Sequence, residues 1–223
     1  IEDEPLLTIT ADKLVNSAKE AIAVGKQLGD KVIVMATSTG GTLALYLAGG
    51  DPDIAGLLLY SPNIEIFDSN AKLLTKPWGV QLAKLVKGGD YHEFEDPSEA
   101  DRQYWTTKYR VEALSQLQVL MDETMTEETF QRVRQPLFLG YYYKDEIHQD
   151  STVSVSAMLR MFEELGTPDD QKRKVAFPNV GEHVMTSYIT SKDLESVKRE
   201  TNRFMEEVLG LKPRLTVGSG SWQ

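Results

Sequence analysis

The sequence contains no cysteine, which excludes disulfide bridges, thiol nucleophiles and cysteine-ligated zinc. It has no apolar run near the ~20 residues that a membrane-spanning helix requires, so no membrane span is expected. Basic residues are fewer than acidic ones: the sequence has 24 Lys and Arg residues and 34 Asp and Glu residues, which gives a formal net charge of −10. Such a surface repels nucleic acid and anionic membranes, so we expect neither as a partner. Histidine is scarce too, and its three residues are the only imidazoles available as general bases.

What is present is enough apolar material for one sizeable core. The 223 residues include 41% hydrophobic and 26% charged side chains, which is ordinary for a globular protein. The glycine- and serine-rich end, 213–223, is expected to be a flexible tail. The sequence starts at Ile1 rather than at a methionine, so it is silent on any signal peptide and on the compartment.

Apolar runs of strand length alternate with segments of helical periodicity. The predicted strands are 31–37, 56–62, 135–143 and 174–178, and the predicted helices are 11–28, 41–49, 154–165 and 193–210. Strands that are apolar throughout are typical of a parallel sheet covered on both faces, so the fold class is α/β.

A long insertion interrupts this alternation. We expect a core made of 1–62 and 132–212, with 63–131 forming a mostly helical cap over the carboxyl ends of the strands. The apolar residues at helical spacing in this insertion are Leu73, Leu74, Trp78, Leu82, Leu85, Trp105, Leu114 and Leu117. Any one of them is best explained as packing within the cap, but together they favour a hydrophobic ligand, with Trp78 and Trp105 as candidate pocket residues.

The stretch KVIVMATSTGG joins a predicted strand to a predicted helix through small residues around Ser38. A serine nucleophile exposed above a sheet needs a strained strand-to-helix turn, with small neighbours two residues away on each side. Ala36 and Gly40 occupy those places, and Gly41 adds room for helix packing. The alternative interpretation is that Ser38 simply caps the following helix.

A catalytic serine requires a histidine to accept its proton and a carboxylate to orient that histidine. His183 follows the last predicted strand, and Asp145 follows the third, so both are expected at the edge of the sheet where Ser38 lies. Asp150 is the reserve acid. His148 is expected to border the cleft.

With these residues in place, the chain resembles the α/β-hydrolase superfamily, and within it bacterial carboxylesterases and monoacylglycerol-lipase-like serine hydrolases. The resemblance is carried by the segments VIVMATSTGG, KDEIHQDSTVSVSAMLRMF and GEHVMTS. It implies a catalytic triad of Ser38, Asp145 and His183, although Glu182 stands where the family often has glycine. It also implies that the backbone N–H of Thr39 helps to form the oxyanion hole.

The resemblance further implies strands before residue 31 and a loop that supplies a second oxyanion donor. The segment IEDEPLLTIT is similar to the stretch that comes directly after such a loop in the family. We therefore expect an N-terminal segment or a second chain to pair with the strand at 31–37. The expected activity is hydrolysis of a small-molecule carboxylic ester through an acyl-enzyme, with no metal or cofactor. Acyl transfer, amide or lactone hydrolysis, and ligand binding without catalysis remain open alternatives.

Overall fold

The computed structural model describes residues 4–94 and 96–212. The strands are β1 (Val32–Ser38), β2 (Ile54–Pro62), β3 (Tyr91–Glu93), β4 (Lys108–Arg110), β5 (Leu137–Tyr141) and β6 (Lys172–Ala176). The α-helices are α1 (Ala11–Leu28), α2 (Thr39–Ala48), α3 (Gly79–Lys87), α4 (Glu99–Tyr104), α5 (Val111–Thr124), α6 (Glu127–Arg132), α7 (Val155–Glu164) and α8 (Leu194–Glu207). The predicted tail, 213–223, lies outside the described residues. Within those residues, no helix combines the length and the apolar character needed to cross a bilayer.

The predicted parallel sheet is confirmed, with strands in the order β1-β2-β5-β6 and every neighbouring pair parallel. One face carries a large core in which Leu45 of α2 and Met158 of α7 pack with Leu57 and Leu59. The other face carries a smaller core centred on Phe204 of α8. Both faces are therefore covered, which explains why the central strands are apolar throughout.

The main elements begin and end close to the predicted residues because their hydrophobic periodicity is strong. The first helix spans the predicted residues, and Thr10 caps it by accepting a hydrogen bond from the backbone N–H of Lys13 at 3.2 Å. β1 is displaced by one residue and ends on Ser38 itself. That displacement makes the serine the junction between β1 and α2.

The four parallel strands end along one edge of the sheet, which sets the position of the loops that follow them. Ser38 lies beside Pro62 in the β1–β2 register, and the backbone N–H of Asn63 donates to the Ser38 carbonyl at 3.0 Å. Tyr141 and Ala176 are likewise in register at the ends of β5 and β6. Side chains that leave these four ends can therefore meet.

β1 is the edge strand of this sheet. It pairs with β2 on one side, and no strand among residues 4–94 and 96–212 lies on its other side. The side chain of Met35 in this strand is 58% exposed. The expected pairing of β1 with a further segment or chain stays a prediction.

The insertion, 63–131, contains helices, as expected, and one feature that the periodicity missed. β3 and β4 form a short antiparallel ribbon that pairs Tyr91 with Arg110. The end of the insertion also contributes to the main core, since Phe130 of α6 packs in the same cluster as Leu45. The division of the chain into core and cap stays a prediction.

Candidate active site

Ser38 occupies a strained turn between β1 and α2. Its φ of 54° and ψ of −127° lie outside the regions that non-glycine residues normally adopt. Although Ser38 stands in the N-cap position of α2, its side chain makes no capping hydrogen bond. The capping interpretation therefore lacks its defining contact among the described residues.

The close approach behind this turn is made by Gly41. A Cβ added to Gly41 would lie 2.6 Å from the Cβ of Pro62, which is shorter than any ordinary contact. A Cβ added to Gly40 would lie 3.5 Å from the Cβ of Ala36, an ordinary van der Waals distance. The need for a small residue is therefore strongest where α2 meets the end of β2, and Ala36 fits without strain.

Thr39 is the first residue of α2, so its backbone N–H has no acceptor within the helix. The N-terminal end of a helix carries partial positive charge, which favours a developing negative charge nearby. The N–H of the residue after the serine is thus available as an oxyanion donor.

His183 lies in the loop after β6 and is held there by buried neighbours. Val180 and Met185 on either side of it are fully buried in the core under α8. The backbone N–H of Met185 also donates to the His183 carbonyl at 3.0 Å. The loop is tied to the end of β1 as well, because the hydroxyl oxygens of Thr37 and Thr186 lie 3.4 Å apart.

The imidazole of His183 bonds to Asp150, with its Nδ1 2.7 Å from the Asp150 Oδ2. The His183 side chain is 15% exposed and that of Asp150 is fully buried. Because an ionised carboxylate only accepts, the His183 Nδ1–H donates, and this leaves the Nε2 lone pair free. That Nε2 is buried and makes no hydrogen bond in the described structure.

The Asp150 carboxylate is well supplied with donors. Its Oδ1 accepts from the backbone N–H groups of Thr152 at 2.9 Å and Val153 at 3.1 Å. Burial acts to raise the pKa of this carboxyl, but the hydrogen bond and charge of His183 hold the pKa below its ordinary value. The hydroxyl of Ser61 and the Val153 N–H act in the same direction. Asp150 is therefore kept ionised beside the imidazole.

Asp145, the acid expected from the sequence, is instead paired with His148. The Asp145 Oδ1 lies 2.8 Å from the His148 Nδ1 and also accepts from the backbone N–H groups of Ile147 and His148. The side chains of Asp145 and His148 are 49% and 59% exposed. The expectation that Asp145 orients His183 is thus corrected, because the reserve acid Asp150 occupies that position.

The reason lies in the chain path after β5. The backbone N–H of Asp150 donates to the Tyr142 carbonyl at 3.1 Å, and the N–H of Lys144 donates to the His148 carbonyl at 2.9 Å. The segment between 142 and 150 therefore projects as a hairpin, with Asp145 at its tip and Asp150 at its base. The sequence did contain a signal that favoured Asp150 as the buried acid. Asp145 stands between two charged residues, Lys144 and Glu146, whereas Asp150 shortly precedes the apolar residues at the start of α7.

The two tryptophans proposed as pocket residues differ in their surroundings. Trp78 precedes α3 with φ of 66°, and its side chain is 78% exposed. Trp105 follows α4, is half-buried, and packs edge-on against Tyr104. No described hydrogen bond or aromatic contact joins either tryptophan to Ser38 or His183, so their place in a substrate pocket stays a prediction.

Within residues 4–94 and 96–212, no group of three or more His, Asp or Glu side chains is placed to hold a metal ion. A cleft of about 440 Å³ lies between α1, the end of α2 and α6, where it is lined by Lys19, Lys26 and Arg132 among others. It contains none of the candidate catalytic residues, because it lies at the opposite end of α2 from Ser38.

The parallel sheet, the strained serine turn between β1 and α2, and the histidine after β6 define an α/β-hydrolase fold, and solved structures agree. A chain from the structures of LipS and LipT, two metagenome-derived lipolytic enzymes, has a TM-score of 0.69 at 17% identity, with 89% of this chain and 74% of that chain covered. The monoacylglycerol lipase of Paleococcus ferrophilus has a TM-score of 0.62 at 18% identity, with 86% and 74% covered.

A third similar structure is a soluble variant of monoglyceride lipase from Saccharomyces cerevisiae in complex with a substrate analogue. Its TM-score is 0.59 at 12% identity, with 87% of this chain and 68% of that chain covered. No family model and no curated protein matches the chain by sequence. At these identities the comparisons establish the fold, and any activity has to be argued from the site.

Proposed function

We propose that this protein is a serine hydrolase that cleaves carboxylic esters through an acyl-enzyme. The observation that carries the proposal is the pairing of His183 with the buried Asp150, at the edge of the sheet where Ser38 occupies its strained turn. A surface histidine or a capping serine would need neither the buried carboxylate nor the strain.

In the proposed mechanism, the Ser38 hydroxyl attacks the ester carbonyl while the His183 Nε2 takes its proton. Asp150 holds the imidazole in the tautomer that leaves Nε2 unprotonated, and it stabilises the imidazolium that forms. His183 then gives the proton to the departing alcohol, and water hydrolyses the acyl-Ser38 by the same proton transfers in reverse. The Nε2 makes no hydrogen bond in the described structure, so it is available to accept this proton.

The backbone N–H of Thr39 is the proposed first oxyanion donor, because as the first residue of α2 it has no acceptor within the helix. A single donor of this kind is typically worth about 3–4 kcal/mol of transition-state stabilisation. The sequence-based expectation that a second donor comes from the segment pairing with β1 is part of the same proposal.

The proposed substrate is an ester with an acyl or lipid-like group. Trp78, Leu82 and Leu85 of the insertion are exposed apolar side chains, which suits a hydrophobic ligand better than a charged one. The similar structures include lipolytic enzymes and two monoacylglycerol lipases, so the proposed substrate class is one that proteins of this fold are known to act on.

A direct test is labelling by a fluorophosphonate probe, together with cleavage of p-nitrophenyl butyrate. The wild-type protein is expected to be labelled and to cleave the ester, and the Ser38→Ala variant is expected to do neither. Ser69→Ala, which removes a hydroxyl from an exposed serine of the insertion, is the matched control and should behave as wild type. Unchanged ester cleavage in Ser38→Ala would refute the proposed nucleophile.

A further inference from the structure

A second serine near the site has an unusual backbone. Ser61 lies near the end of β2 with φ of 42°, one residue before Pro62, which is the register partner of Ser38. Its side chain is fully buried. A non-glycine residue at positive φ is strained, and such strain persists only where the surrounding structure imposes it.

The Ser61 hydroxyl has no fully formed hydrogen bond of its own. Its Oγ is buried and without a partner of ordinary geometry, yet it lies close enough to the Asp150 carboxyl to help to lower the pKa of that group. A buried hydroxyl without a hydrogen bond lowers the stability of the folded protein. An apolar residue or glycine at this position would avoid that loss. The hydroxyl therefore calls for an explanation beyond packing.

The Asp150 carboxylate has room for one more donor. Its Oδ1 already accepts from the backbone N–H groups of Thr152 and Val153, and its Oδ2 accepts from the His183 Nδ1. A carboxylate offers about four acceptor sites, so these three donors leave one site open. The buried Ser61 hydroxyl, which has no other partner among the described residues, is one of the groups that hold the pKa of this carboxyl low.

We propose that Ser61 is a positioning residue whose hydroxyl donates to the Asp150 carboxylate and holds it in line with the His183 Nδ1. This inference rests on the proposed function, in which Asp150 orients the general base. It explains the strain at Ser61, because the turned backbone aims the hydroxyl at the carboxylate rather than along the regular alternation of β2. Three parts of the fold then fix the orientation of the acid: the end of β2, the segment just before α7 and the loop after β6.

The first experiment separates the hydroxyl from the strain. Ser61→Ala removes the hydroxyl and keeps the strained backbone, whereas Ser61→Gly removes the hydroxyl and tolerates positive φ. If the hydroxyl positions Asp150, both variants lose roughly 10- to 100-fold in kcat at unchanged KM, as expected for a lost hydrogen bond to a charged group. Full activity in the glycine variant would overturn the proposal, since it would mean that only the backbone geometry matters.

The second experiment is a double-mutant cycle. In an Asp150→Asn background, Ser61→Ala should change kcat by less than about 2-fold, because the carboxylate through which Ser61 acts is already absent. A residue that merely supports packing would lower kcat by the same factor in both backgrounds. Additive losses would therefore refute the positioning role.

A third readout does not depend on turnover. Carbon-13 NMR can follow the titration of the Asp150 side-chain carboxyl in the full chain, and its midpoint should move to higher pH in both Ser61 variants. The Asp145 carboxyl serves as the internal control and should not move, because its partner is His148. An unchanged Asp150 midpoint would contradict the inference about Ser61, whereas a protein that fails to cleave esters would contradict only the proposed function.

Discussion

Replacing Asp150 by asparagine should separate it from Asp145 as the acid of the proposed triad. The amide can still present an oxygen to the backbone N–H groups of Thr152 and Val153, so the loop keeps two of its contacts. It then turns an NH₂ group toward the His183 Nδ1, which lies 2.7 Å from the carboxylate oxygen in the wild-type protein. Two donors cannot face one another at that distance, so the imidazole must move its proton to Nε2.

A histidine protonated at Nε2 cannot accept the Ser38 proton. In the serine-protease template, an acid-to-amide change of this kind lowers kcat by roughly 10⁴-fold, or about 5 kcal/mol of transition-state stabilisation. We expect a loss of the same order here because the Asp150 side chain is fully buried against His183. Asp145→Asn should change kcat by less than about 3-fold, since exposed ion pairs contribute only about 0–1 kcal/mol.

The assay is steady-state cleavage of a p-nitrophenyl ester by the wild type and both variants, with circular dichroism and thermal unfolding to verify folding. The Asp150→Ala variant is not used, because removing the carboxylate leaves the imidazole and two backbone N–H groups without their acceptor. A loss of stability would then be mixed with the loss of catalysis. The asparagine variants avoid this, because asparagine has nearly the same size and shape as the aspartate that it replaces. Equal losses in the two variants, or a larger loss in Asp145→Asn, would refute the assignment of Asp150.

Three further predictions concern stability. Gly41→Ala should destabilise the protein by about 1–3 kcal/mol in urea unfolding, because the new methyl group overlaps Pro62, and a wild-type midpoint would contradict that contact. Leu59→Ala should cost about 2–5 kcal/mol, since Leu59 is fully buried within the sheet, and a loss below about 1 kcal/mol would show that the site collapses freely. The lowered pKa of Asp150 contributes stability above the unfolded value of about 3.9, and that stability is lost as the pH falls through the folded pKa. The stability difference between wild type and Asp150→Asn should therefore shrink as the pH falls below the unfolded value of about 3.9 in denaturant titrations, and a constant difference would contradict the shift.

Much of the fold was predictable because the decisive information is local. The helix at 11–28 repeats its apolar residues with helical spacing between a capping Thr10 and Gly29, and the structure has the same helix. The strand ending at Ser38 and the small residues after it also form a local pattern. The ribbon of β3 and β4 was missed because three-residue strands carry too little periodicity to be recognised.

The choice of acid was not local. Asp145 and Asp150 both follow β5, and only the hairpin between 142 and 150 decides which carboxylate reaches His183. Likewise, the sequence places Gly40 and Gly41 side by side. Only the close approach of α2 to Pro62 shows that Gly41 is the position that requires glycine.

By itself, the sequence determined the α/β class, the order of the elements and the serine turn, because hydrophobic periodicity and small-residue spacing act over a few neighbouring residues. The tertiary structure alone decided that Asp150 bonds to His183, that Asp145 turns outward to His148 and that Ser61 is fully buried. These contacts depend on how loops from separate strands fold back over the edge of the sheet, and that geometry is not encoded in any short stretch of the chain.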